Sequence, residues 1–156
     1  MEELPVSDGL TYRQLTLTDM VAASNVFRSA FDAKFQWLAG RHAQREDQAF
    51  WSGYLLSNCV IWGAGRQDEL LGVIAFREGW VDQLYILPHM QRRGIGSRLL
   101  DIAKGRYCSL DLWTFQRNES ARRFYEAQGF EIARETDGAD NEEQEPDVLY
   151  HWHRAD

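Results

Sequence analysis

From Leu84 to Ser97 the chain reads Leu-Tyr-Ile-Leu-Pro-His-Met-Gln-Arg-Arg-Gly-Ile-Gly-Ser. An apolar run stops at Pro88, and after Gly94 the residues Ile95, Leu99, Ile102 and Ala103 fall on one helical face. A strand therefore runs into a turn, and the turn runs into a helix. Gly94 and Gly96 remove side chains where the backbone has to approach something closely. The first turn of a helix carries unpaired N–H groups and a partial positive charge. With Arg92 and Arg93 beside it, the junction reads as an anion site. It lacks the third glycine of a dinucleotide fingerprint and the Gly-Lys-Ser/Thr ending of a nucleoside triphosphate loop. Two glycines alone also fit an ordinary helix entry.

The charge distribution agrees with a local anion site. The net charge of the 156-residue chain is −7, yet the segment from His89 to Arg123 carries eight basic and three acidic residues. The remainder is strongly acidic, which disfavours nucleic acid as a partner and favours a cation away from the basic segment. Twenty aromatic residues (six Trp, six Tyr, eight Phe) supply a core large enough for one domain over residues 1–156, and exclude disorder as the main description. No window reaches the roughly 18 uninterrupted apolar residues of a membrane span, so no membrane role is expected. The acidic start Met1-Glu2-Glu3-Leu4-Pro5 lacks the apolar stretch of an export signal, and the expectation is a cytoplasmic protein. Cys59 and Cys108 fit no metal-ligand spacing, so two reduced thiols and no metal are expected.

Periodicity and turn residues predict the element order βααβββαβαββ. Leu10 to Leu15 reads as a strand, followed by helices to about Phe31 and from about Gln44 to Leu56. Three apolar runs, Val60–Gly65, Leu70–Arg77 and Trp80–Leu87, are joined by short turns and so are antiparallel neighbours. A helix from Gly94, a strand from Leu110 and a helix from Ser120 to Gln128 follow. Phe130–Thr136, an acidic loop and Val148–His153 complete the chain. The fold class is mixed α/β (α+β), a largely antiparallel twisted sheet of about seven strands with about four helices.

A second motif lies about thirty residues beyond the first: Asn118-Glu119-Ser120-Ala121-Arg122-Arg123-Phe124-Tyr125-Glu126-Ala127-Gln128-Gly129-Phe130. Together with Gln91-Arg92-Arg93-Gly94-Ile95-Gly96 it resembles the GNAT superfamily of acetyl-CoA-dependent N-acetyltransferases. The resemblance covers about residues 70 to 135. It implies a sheet with splayed middle strands and a coenzyme A diphosphate on the backbone amides from Arg92 to Ser97, including Gly94, Ile95 and Gly96, with Gln91 at the lip. It implies further that the pantetheine arm adds to the open edge of the strand holding Leu84, Tyr85 and Ile86, through the backbone groups of Leu84 and Ile86. Asn118 is implied as a pantetheine contact, although a helix cap alone explains an asparagine there. Tyr125 matches the general acid that protonates the departing sulfur, while core packing beside Phe124 is the other reading.

An attacking amine has to be neutral, and a lysine side chain is neutral in only about one molecule in 10³ at pH 7. If the strand begins early, Glu78, Trp80, Asp82 and Leu84 line one side of it, and Glu78 or Asp82 is the base, a holder of water, or a binder of a cationic substrate. The sequence does not choose between them. Arg122 and Arg123 either reach the cofactor's 3′-phosphate or face water, and His42 and the loop with Glu142, Glu143, Glu145 and Asp147 fall where the resemblance implies a variable acceptor wall. The resulting expectation is an N-acetyltransferase using acetyl-CoA on a small-molecule, peptide or protein amine, cationic in character, by direct attack, as a monomer or homodimer. The alternative on the same motifs is a non-catalytic acyl-CoA sensor.

Overall fold

The computed structural model describes residues 3–5 and 9–155. Eight strands form one sheet in the order β1-β2-β3-β4-β5-β6-β8-β7. They are β1 Glu3–Pro5, β2 Thr11–Gln14, β3 Val60–Arg66, β4 Glu69–Arg77, β5 Gly79–Ile86, β6 Ser109–Phe115, β7 Glu131–Thr136 and β8 Asp147–His153. All neighbours are antiparallel except β5 and β6. The expected element order is present, with β1 added at one edge, where Glu3 to Pro5 pair with Arg13 to Thr11. Three residues are too few to show an alternation in sequence.

Four helices cover the sheet. The first, α1 (Met20–Lys34), follows a short turn whose Asp19 carboxylate accepts from the Thr16 N–H at 2.8 Å and from Arg13. It buries Met20, Ala23, Val26 and Ala30, a stripe at helical spacing. The second, α2, is continuous over residues 44–58 but contains a π turn at Phe50–Leu55, which buries Trp51 and Leu55. The third and fourth are α3 (Ile95–Arg106) and α4 (Glu119–Ala127).

Central strand β4 explains the layering. Val73 and Ala75 pack against α1 and α2 on one face, while Ile74 and Phe76 pack against α3 and α4 on the other. All four are 0% exposed, as a period-two strand between two helical layers requires.

The parallel step in the sheet positions the site. Strands β5 and β6 pair only at Gly79↔Leu110 and Trp80↔Asp111, then separate. The separation starts beside a bulge in β5: Ala75 opposes Gln83 and Phe76 opposes Val81, so Asp82 is the extra residue. A bulge bends and over-twists its strand. Beyond it β5 follows β4 and leaves β6, opening a wedge in the middle of the sheet.

Candidate active site

The wedge is the mouth of a cavity of about 980 Å³. Its walls are β5 from Val81 to Ile86, β6 from Leu112 to Phe115, the turn from Met90 to Ser97, the start of α4, the end of α1, and part of the segment from Arg134 to Asp147.

One wall is bare backbone. The Leu87 N–H donates to Leu71 O on β4 at 2.9 Å. Groups alternate along a strand, so Leu84 and Ile86 direct their N–H and C=O the other way, into the wedge. Their side chains pack with the α3–α4 core. The Tyr85 side chain lies on the opposite face, edge-on to Phe27 at 5.0 Å, and also lines the cavity. Burial pushes its phenol pKa above the usual tyrosine value, with Glu143 adding to the rise.

The turn closes one end. Arg92 has φ of 64° and Gly94 φ of 84°, both left-handed. Among the described residues, the amides from Arg92 to Ser97 donate to no backbone carbonyl, and the first such bond of α3 is Arg98 N–H to Gly94 O at 3.1 Å. A row of unpaired donors thus faces one end of the cavity, at the positive end of α3. Arg92, Gly94, Ile95, Gly96 and Ser97 line it, while Arg93 does not. The Ile95 side chain is a core residue, 1% exposed, so only its backbone is available. Ser97 Oγ accepts from Gln128 Nε2 at 3.2 Å. Gln91, expected at the lip of the turn, lines the cavity and donates from Nε2 to Ile86 O at 3.1 Å. Its amide occupies one of the two strand carbonyls that face the wedge.

Helix α4 supplies the polar side chains. Asn118 Oδ1 accepts from the Ala121 N–H at 3.3 Å, so it does cap the helix, and it also lines the cavity. Tyr125, two turns on, lines the same cavity. Its ring lies among Phe124, Phe130 and Tyr150, and the residue is 9% exposed. Burial raises its pKa above the ordinary phenol value, so the hydroxyl keeps its proton at neutral pH.

The fold has counterparts. The acetyltransferase (GNAT) domain family matches residues 57–132. An apo structure of YjaB from Escherichia coli superposes with a TM-score of 0.75 at 20% identity, covering 94% of this chain and 99% of that one. The likeness to the GNAT acetyltransferase family is carried by residues 57–132, and the superposition shows a shared fold. A second structure, the PaiA N-acetyltransferase from Thermoplasma acidophilum in complex with coenzyme A, gives a TM-score of 0.71 at 20% identity over 93% of this chain and 99% of that one. In sequence, the peptidyl-lysine N-acetyltransferase YiaC of Escherichia coli (strain K12) is 36% identical over 78 residues, which is 49% of this chain and 53% of that relative. The chain thus matches about half the length of that relative.

The two carboxylates expected on β5 part company. Glu78 lies in the tight β4–β5 turn, exposed, and does not line the cavity. Asp82 does line it. The expectation that Glu78, Trp80, Asp82 and Leu84 share one side is corrected by the bulge, because one inserted residue resets the alternation. Asp82 accepts from Arg77 Nε at 2.8 Å and Nη2 at 3.1 Å, and from the Cys59 thiol at 3.1 Å. Trp80 lies under the Arg77 guanidinium, 5.4 Å from its carbon, away from the cavity.

The sequence leaves Arg122 and Arg123 either to reach the cofactor's 3′-phosphate or to face water. Arg122 donates to Tyr150 Oη at 3.1 Å and to Gln116 O at 3.2 Å, and Arg123 is exposed beside Glu119. Neither lines the cavity. His42 is exposed and bonds Glu142 from Nε2 at 2.8 Å, joining the α1–α2 connection to the β7–β8 loop. That loop and the adjoining strand ends bring Asp137, Asp140, Glu143 and Asp147 to the cavity wall, with Arg134 beside Trp113. Among the charged lining residues, Lys34 had no signal in the sequence, and Ser120 entered only as part of the second motif. Lys34 and Ser120 meet there, Nζ to Oγ 2.7 Å, from positions 86 residues apart.

Proposed function

We propose that this chain is an acetyl-CoA-dependent N-acetyltransferase that acetylates a cationic primary amine, with a peptide lysine as the leading acceptor. One observation carries the reading: the Tyr125 hydroxyl, protonated and buried, shares a cavity with the open edge of β5 and the unpaired amides of the turn.

The residues present fit coenzyme A. The amides from Arg92 to Ser97 offer donors to its diphosphate, and the wedge-facing groups of Leu84 and Ile86 match a peptide-like pantetheine arm. Acetyl-CoA supplies an acetyl group activated as a thioester. In this reading the Leu84 N–H stabilises the oxyanion of a tetrahedral intermediate formed by direct attack of the amine, and Tyr125 gives its proton to the departing sulfur. Gln91 has to release Ile86 O for the arm to bind there. No covalent acetyl-enzyme is invoked. Burial, then Asp82, push the Cys59 thiol up to about 12, and Cys108 is exposed and outside the cavity.

The acceptor class follows from the charged residues that line the cavity. Asp82, Asp137, Asp140, Glu143 and Asp147 line it against Lys34, Arg92 and Arg134. An acidic majority attracts an ammonium group and raises its local concentration. A relative that acetylates peptidyl lysine supports the same class.

The test is release of free thiol from acetyl-CoA with a panel of amines: lysine peptides, N-terminal peptides and neutral amines. Turnover fastest with lysine peptides supports the reading. Coenzyme A binding by calorimetry with no thiol released from any amine overturns it in favour of an acyl-CoA sensor. Equal affinity for ADP and acetyl-CoA removes the pantetheine assignment.

A further inference from the structure

The chain has fifteen arginines and only two lysines, Lys34 and Lys104. Their surroundings are opposite. Lys104 is partly buried, donates to Gln128 O at 2.6 Å, and sits over the rings of Trp152 at 5.0 Å and Phe130 at 5.7 Å. It does not line the cavity. Lys34 is exposed, ends α1, and lines the same cavity as Tyr125 and Asn118. Its Nζ reaches across to Ser120 Oγ at 2.7 Å, and Ser120 Oγ is in turn 3.3 Å from Asn118 Oδ1. The exposed one of the chain's two lysine amines is therefore held inside the cleft assigned to acyl transfer.

We propose that Lys34 is a self-acetylation site of this cleft, an inference that rests on the acetyltransferase reading above. The Lys34 ammonium first loses one proton to water. Its Nζ then attacks the thioester carbonyl carbon, so that the C–N bond forms and the C–S bond breaks. The sulfur leaves with the electron pair of that bond and takes the Tyr125 phenol proton. The second proton shed by nitrogen restores the phenol. Lysine ammonium and acetyl-CoA thus become N-acetyl-lysine, coenzyme A thiol and one released proton. Placement in the cleft raises the effective concentration of this amine toward a thioester bound there. The product replaces a cation on the cavity wall with a neutral amide and loosens the charge-assisted bond to Ser120.

Lys104 is a built-in control. Burial holds its pKa below the usual lysine value, which enlarges its neutral fraction, whereas placement in the cleft favours Lys34. The experiment incubates the full chain with acetyl-CoA and no added amine, then follows intact mass and maps the modified peptides. The expected result is one acetyl group per chain, on Lys34, at least about tenfold faster than on Lys104. Its rate should be unchanged on dilution of the protein, suppressed by desulfo-coenzyme A, and lost in Lys34→Arg. Acetylation of Lys104 at an equal or greater rate, a rate that rises with protein concentration, or no acetylation overturns the proposal. A parallel arm gives the same protein a lysine peptide. Thiol release there with Lys34 unmodified overturns self-acetylation alone, whereas no thiol release in either arm overturns the acetyltransferase reading with it.

Discussion

Asp82 is the acceptor for the Cys59 thiol, Sγ to Oδ2 3.1 Å, while both of its oxygens also accept from Arg77. The thiol is therefore held protonated, mainly by burial and then by the carboxylate, with its pKa pushed up to about 12. A thiol held protonated is a poor nucleophile, so Cys59 should react slowly. A thiol reagent should react quickly with one equivalent, Cys108, and slowly with the other. Asp82→Asn should leave Cys59 slow, because burial is the larger cause and persists. Two fast thiols in the wild type would contradict this placement.

Tyr125→Phe removes the proton donor but keeps the ring among Phe124, Phe130 and Tyr150. Turnover should fall about 10²-fold while acetyl-CoA affinity stays within about twofold. The pH profile has a sign. Burial raises the Tyr125 pKa, so its donating form persists beyond pH 10 and imposes no alkaline limb below it. The wild-type rate should climb with pH as the acceptor amine deprotonates. An unchanged turnover in the variant removes Tyr125 from the chemistry.

Most of the element order was legible because each element is long enough to show its period. The stripe Met20, Ala23, Val26 and Ala30 and the junction at Gly94 are local patterns. What escaped had no local mark. Strand β1 is three residues long, and the bulge at Asp82 is a single insertion without compositional trace. Glu78 and Asp82 are equivalent by strand spacing, yet one ends in a turn and the other at the root of the wedge. The meeting of Lys34 with Ser120 depends on how α1 and α4 pack across the sheet, which spacing within either helix does not encode.

The buried acids also predict how the fold responds to alkali. Tyr85 and Tyr125 have raised pKa values through burial, and Cys59 likewise. A raised native pKa means that the folded state holds its proton more tightly than the unfolded chain. The contribution is fully present below the unfolded values, about 9 for the thiol and 10 for the phenols, and is lost as pH rises above them. Urea unfolding should therefore show stability unaffected by these groups up to about pH 9 and reduced by more than about 1 kcal/mol at pH 11. The double variant Tyr85→Phe, Tyr125→Phe should lose less between pH 8 and pH 11 than the wild type. An equal loss in both would mean that these phenols are solvated.

Gly94 and Gly96 are both in the turn, but they are required for different reasons. Gly94 has φ of 84° and nothing within 4 Å of an added Cβ, so an alanine has room but the wrong backbone. Gly94→Ala should cost about 1–2 kcal/mol, read as a lower Tm. A Cβ on Gly96 would sit 3.4 Å from Phe124 Cζ and 3.9 Å from Ile86 Cγ1, which is ordinary contact. Gly96→Ala should therefore melt like the wild type and bind acetyl-CoA with nearly wild-type affinity. Gly96→Leu has to push against the Phe124 ring or extend over the amides, and should weaken acetyl-CoA at least about tenfold, or 1.4 kcal/mol, with the circular dichroism unchanged. Calorimetry on the three variants separates a backbone that has to bend from a backbone that has to stay bare. Full affinity in Gly96→Leu would mean that the diphosphate does not rest on these amides.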